Sequence, residues 1–118
     1  MSTVMINLEK GRPKVDAAMT KLRLELATLR RIGAHTVKII HGYGSSGTGG
    51  SIRTATHVYL SELLKDDKIK AFCMGEHFGP FEQAGRQMIE LVPDLRKDPD
   101  WGQQNEGITI VVLHGSKN

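Results

Sequence analysis

The chain has 118 residues, enough for one domain with a modest core. Apolar residues make up 39% and charged residues 25%, and no run of about 18 apolar residues occurs, which excludes a transmembrane helix and a disordered polyelectrolyte. The formal charge is +3, but residues 1–59 carry nine Lys/Arg against three Asp/Glu and residues 60–118 carry seven against ten, so the first half is basic and the second acidic. A basic half favours a polyanionic partner over an apolar or cationic one.

Val4, Ile6 and Leu8 alternate with polar neighbours and predict a short first strand. Pro13 suits a helix start, and Val15, Met19, Leu22, Leu26 and Leu29 form one apolar face of a helix over 14–31. Leu24 falls on the opposite face, a candidate interface residue. Gly33 is a C-terminal stop. Thr36 to Ile40 reads as a buried strand. The segment HGYGSSGTGG follows, with five glycines between Gly42 and Gly50. Ser51 is the expected N-cap of a second helix that shows Ile52, Ala55, Tyr59 and Leu63 on one face and ends at Asp66-Asp67. Ile69 to Met74 predicts a third strand and Gly79-Pro80 a turn. Phe81, Ala84, Met88 and Leu91 mark a short helix stopped by Pro93. Residues 93–107 read as a loop and Ile108 to Leu113 as a last strand.

The order β-α-β-α-β-α-β predicts an α/β fold in one domain over residues 1–115, with a tail at 116–118. The expected architecture is a small two-layer sandwich with a mixed, largely parallel four-stranded sheet. Cys73 is the single cysteine, which excludes an intrachain disulfide; with no secretory pattern at the N-terminus, the expected location is cytoplasmic.

The glycine loop is the candidate site. Small residues between a strand and a helix let phosphate oxygens approach backbone N–H groups, and the helix start adds partial positive charge. Gly42 to Gly47 spells G-x-G-x-x-G, but on the second strand of a short chain, and no acid stands at a clear strand end about 20 residues on, where a dinucleotide site would want one; Glu76, roughly 30 on, is the nearest candidate. The Walker and nucleophile-elbow patterns both fail. Arg53 lies in the first turn of the second helix, beside the loop. His41, between strand and loop, is the best-placed group for proton transfer. The remaining histidines make no zinc-ligand spacing with it or with Cys73, so no structural zinc is expected.

The block VKIIHGYGSSGTGGSIR resembles the Smr (small MutS-related) domain family. His41, Gly42 and Gly44 match its HGxG motif, and Ile52-Arg53 corresponds to its Leu-Arg pair. The resemblance implies a fold like the C-terminal domain of bacterial translation initiation factor three, and DNA or RNA as ligand, with endonuclease activity in many members. With the loop chemistry, it leaves His41 as the catalytic candidate, with Glu9 as a further one, and Gly42, Tyr43, Gly44, Arg53 and the basic cluster Lys10, Arg12 and Lys14, at strand ends and helix starts, as nucleic-acid contacts. The family's Leu-Asp-x-His signature aligns with Ile6-Asn7-Leu8-Glu9. Asn7 cannot accept a proton as a carboxylate does, whereas Glu9 can accept one or hold Mg²⁺ but is a poor proton donor. Cleavage is therefore expected to be weak, metal-dependent or absent. The alternative is a small-molecule or nucleotide-binding α/β domain without nuclease activity.

Overall fold

A computed structural model of the chain describes residues 3–43 and 48–115. Strands β1 (Val4–Asn7), β2 (Thr36–Ile40), β3 (Ala71–Met74) and β4 (Ile108–Val112) and helices α1 (Val15–Arg31), α2 (Thr48–Lys65) and α3 (Gln83–Leu91) follow the predicted order. Short 3-10 helices lie at Gly75–His77 and Pro93–Lys97.

The strands form one mixed sheet in the order β1-β2-β4-β3. β1 and β2 pair in parallel across α1, with Ile6 opposite Ile39. The crossover through α2 places β3 one strand further on, pointing the same way. β4 fills the gap and runs antiparallel to both neighbours. Three strands therefore share a direction, as the alternating order implies, yet only the β1–β2 pair is parallel, and "largely parallel" does not describe the pairing. The last strand enters from a long connection rather than from a helical crossover, which leaves its direction free.

The alternation of side chains along β2 and β4 divides the core in two. Val37, Ile39 and Val111 face α1 and α2, where Met19, Leu22, Leu26, Ile52 and Leu60 cover them. Ile108, Ile110 and Val112 point to the other face, where Phe78, Met88 and Leu95 cover them. This second cover corrects the two-layer expectation: residues 75–107 form a third layer, and the stretch read as a loop is packed. Phe78 and Trp101 meet edge to face at 5.0 Å inside it. Lys38 on β2 reaches into this layer and pairs with Asp98 at 2.8 Å and Asp100 at 2.6 Å. Burial alone would lower its pKa, but the two carboxylates more than offset that and raise it. Asn105 Nδ2 donates to Asp100 at 2.9 Å, and the Gly107 N–H donates to Asn105 Oδ1 at 2.9 Å, so the whole segment is tied back to the start of β4.

The helix ends obey local chemistry. After α1, Gly33 takes φ +81 while its N–H bonds Arg30 and the Ala34 N–H bonds Leu29, the paired C-terminal bonds that need a left-handed residue. After α2, Asp67 plays the same part at φ +58, with Lys68 N–H bonding Leu63. Three boundaries differ from expectation. α2 begins at Thr48, so Ser51 lies inside the helix and is not its cap. β3 begins at Ala71, with Ile69 buried just ahead of it. α3 begins at Gln83 because Glu82 is still extended, which leaves Phe81 outside the helix and out of the core. Leu24 is exposed on the outer face of α1.

Candidate functional site

The C-terminal ends of β1, β2 and β3 and the N-terminal end of β4 share one edge of the sheet, the place where ligands collect in open α/β sheets. Each strand end contributes a piece.

After β1, the Asn7 side chain accepts the N–H groups of Glu9 (2.9 Å) and Lys10 (3.0 Å), forming a tight turn. Gly11 and Arg12 then take positive φ, +80 and +48. Lys10, Arg12 and Lys14 all project into solvent from this turn. The Asn7 side chain thus shapes the turn that displays the three cations.

After β2, the chain turns sharply. The N–H groups of His41 and Gly42 both donate to the Gly107 carbonyl at 3.0 Å. Gly42 has φ +83, and a Cβ there would overlap the Glu9 carboxylate, so the first turn leans directly on the second. Tyr43 stands out from the turn with its ring against Gly107. Gly44 lies outside the described residues.

His41 is fully buried, at 0% exposure. Its Nδ1 faces the Gly42 carbonyl at 3.0 Å and its Nε2 faces the Thr109 hydroxyl at 2.8 Å. His57 Nε2 meets the same hydroxyl at 3.0 Å. A carbonyl only accepts, which assigns the rest of the chain. His41 Nδ1–H donates to Gly42, Thr109 O–H donates to His41 Nε2, and His57 Nε2–H donates to Thr109. Burial lowers the pKa of both rings; His57, further depressed by His41 and Arg53, falls to about 4. Both are neutral at pH 7; the relay requires this of His41, whose Nε2 accepts, while His57 donates in either state.

After β3, Glu76 in the 3-10 turn pairs with Arg53 of α2. Arg53 Nε and Glu76 Oε1 are buried with no hydrogen-bond partner among the described residues. The expected phosphate contact Arg53 is thus already engaged on one side by a carboxylate. No group of three or more His, Cys, Asp or Glu side chains able to hold a metal occurs among the described residues, and Glu9 is an exposed carboxylate in the β1 turn. Cys73 is buried, and burial, with the charges of Glu76 and Glu82, pushes its thiol up to about 12, well away from a reactive thiolate.

The structure therefore brings Glu9, Lys10, Arg12, Lys14, Gly42, Tyr43 and Arg53 to one edge and sets His41 beneath it. Sequence reasoning missed His57, Thr109 and Gly107. His57 was within reach, because Arg53 and His57 are four residues apart on one helix face. Thr109 and Gly107 carry no local signal; only the antiparallel register of β2 and β4 brings them to His41.

The family model for the Smr domain matches residues 11–91, more than half of the chain. The chain belongs to the Smr domain family. The crystal structure of the Smr domain of Thermus thermophilus MutS2 is similar in fold, with a TM-score of 0.56 and 20% identity over 95% of this chain and 99% of that one. No curated protein matches the chain in sequence. The matched range begins within the β1 turn, after Glu9, and ends before β4, so Asn7, Glu9 and Thr109 are read from this Smr domain's own geometry. Among its described residues no helix is long and apolar enough to cross a membrane.

Proposed function

We propose that this Smr domain binds nucleic acid, DNA or RNA, by its phosphates along the strand-end edge. The observation that carries the reading is the exposed trio Lys10, Arg12 and Lys14, displayed by a tight turn that packs through Glu9 against Gly42. Three exposed cations beside a glycine turn suit a string of phosphates better than a single one. Gly42 and Tyr43 border the site on the loop side, with Gly44 the further contact expected from the sequence, and Arg53, held by Glu76, supports its far side. His41 is a positioning residue here. With both ring nitrogens committed and the ring buried, it fixes the Gly42 carbonyl in the turn after β2.

A second reading, cleavage, rests on Glu9, the exposed carboxylate beside Gly42 that can take a proton from a nucleophile. It lacks a partner acid at the first-strand end, where Asn7 is spent on the turn. The expected result is binding with slow or absent cleavage.

The test incubates the protein with labelled single- and double-stranded DNA and RNA, with and without Mg²⁺, and follows both retardation and product. Binding that weakens steeply with salt supports the proposal. Absence of any complex at low salt refutes it. Rapid metal-free cleavage that survives Glu9→Gln would overturn the assignment of Glu9 and return His41 to the chemistry.

A further inference from the structure

Among the chain's three Phe, two Tyr and one Trp, the rings of Tyr43 and Phe81 alone are exposed, at 64% and 94%. Both stand on the same strand-end edge. Tyr43 lies just past β2 with its ring on Gly107. Phe81 lies past β3, in the turn that follows Glu76, the partner of Arg53.

The Phe81 turn is held on several sides. Gly102 N–H donates to the Phe78 carbonyl at 2.8 Å, Gly79 N–H to the His77 carbonyl at 3.0 Å, and Arg86 Nη1 to the Pro80 carbonyl at 2.9 Å. Gly85 packs so closely under this turn that a Cβ there would collide with the Gly79 backbone. A ring that could fold back onto the core is instead fixed outward. Beside it is a cavity of about 150 Å³ whose walls include Glu76, Phe78, Phe81 and Gln104. Its wall is thus an aromatic ring with a side-chain amide close by, and an amide both donates and accepts.

Charge sorts the edge. The three cations cluster after β1, whereas the Phe81 end carries Glu82 next to the ring and Arg86 behind it. That end offers phosphate no net attraction, but a flat uncharged group is indifferent to the difference. An unpaired nucleobase has that shape and chemistry, and a paired base inside a duplex cannot present its face.

We infer that Phe81 and Tyr43 are stacking platforms for unpaired bases, so that the ligand of this edge is single-stranded nucleic acid, with phosphates on the Lys10–Lys14 turn and a base against Phe81 within reach of Gln104. The inference rests on the phosphate-binding reading above and adds the strandedness of the ligand to it.

The test measures anisotropy of short labelled single strands, the matching duplex, and an abasic strand of equal length that keeps the phosphates. The proteins are wild type, Phe81→Ala, Tyr43→Ala and Phe81→Trp. Both rings are exposed, so the variants fold, as circular dichroism will check. Wild type should prefer the single strand to the duplex. Each alanine variant should weaken single-strand binding by about five- to a hundredfold, the usual effect of losing one stacking platform. The abasic strand should not distinguish the alanine variants from wild type, and Phe81→Trp should keep wild-type affinity. If both alanine variants bind the single strand like wild type, or lose the abasic strand equally, the stacking inference is overturned while phosphate binding stands. If wild type binds no nucleic acid at low salt, both readings fall together.

Discussion

At Thr109 one hydroxyl serves two buried imidazoles, accepting from His57 and donating to His41. Thr109→Val keeps the shape and removes the hydroxyl, leaving a donor and an acceptor unpaired. An unsatisfied buried polar group costs about 1–3 kcal/mol, so the variant should lose roughly 2 kcal/mol in urea unfolding, while Thr109→Ser keeps most of the stability. Gly42 makes a second residue-scale case. Its φ of +83 is strained for any side chain, and the Glu9 carboxylate occupies the space of a Cβ. Gly42→Ala should cost about 1–2 kcal/mol from the backbone alone. The Glu9 carboxylate is exposed and can swing away, so Glu9→Ala should rescue little of that loss. The histidines set a pH dependence. Their folded pKa values lie below the ordinary 6.5, at about 4 for His57. The unfolded chain therefore binds more protons between about 6.5 and 4, and stability is full above that window and falls as the pH falls through it. Asp100 adds to the loss at still lower pH. Burial pushes it up, but Asn105 and Lys38 pull it down further, so its contribution is present above the usual carboxylate range and lost below it. Urea midpoints should decline from pH 7 to pH 5, and less steeply for His57→Gln.

At the scale of elements, the weight falls on the connection between α3 and β4. Lys38 is nearly buried, with 9% of its side chain exposed, and two carboxylates from residues 98 and 100 close on it. Lys38→Ala leaves those carboxylates without their cation. Breaking a buried pair costs about 3–5 kcal/mol, and here the low end applies because Asp100 is partly solvated. Hydrogen exchange should speed up most across residues 93–107, with α1 and β2 changed least. This segment also marks the limit of what the sequence shows. The strands and helices through α2 are legible because each has a clean period of two or 3.6, bounded by Gly33 or by Asp66-Asp67. Residues 93–107 have no period. Their order comes from Leu95 and Trp101 reaching the far face of the sheet and from Lys38, sixty residues away, finding its acids. Phe81 misleads for a related reason: it has helical spacing with Ala84 and Met88, but the turn ending at Glu82 holds it outside α3. The glycine turn and Arg53 are legible as a candidate site, whereas the engagement of Arg53 by Glu76 and the burial of His41 depend on where β3 and β4 fall in the sheet. No local pattern encodes that.

Across the whole molecule, charge and topology agree. The basic half of the chain supplies β1, its turn and the glycine loop, so the cations gather at one end of the strand-end edge and the exposed aromatics follow along it. The acidic half supplies the third layer, where Asp98, Asp100 and Glu76 pair with Lys38 and Arg53 of the basic half. The central claim is that the Lys10, Arg12 and Lys14 turn neutralises phosphates, and the salt dependence of binding tests it most directly. Three cations release about three counterions, so log K against log[salt] should slope by about −3 on duplex DNA and about −2 on a single strand. The triple variant Lys10→Glu, Arg12→Glu, Lys14→Glu should lose most of the slope and most of the affinity, for every sequence alike. A slope near zero in the wild type, or a triple variant that binds with unchanged slope, would contradict the account.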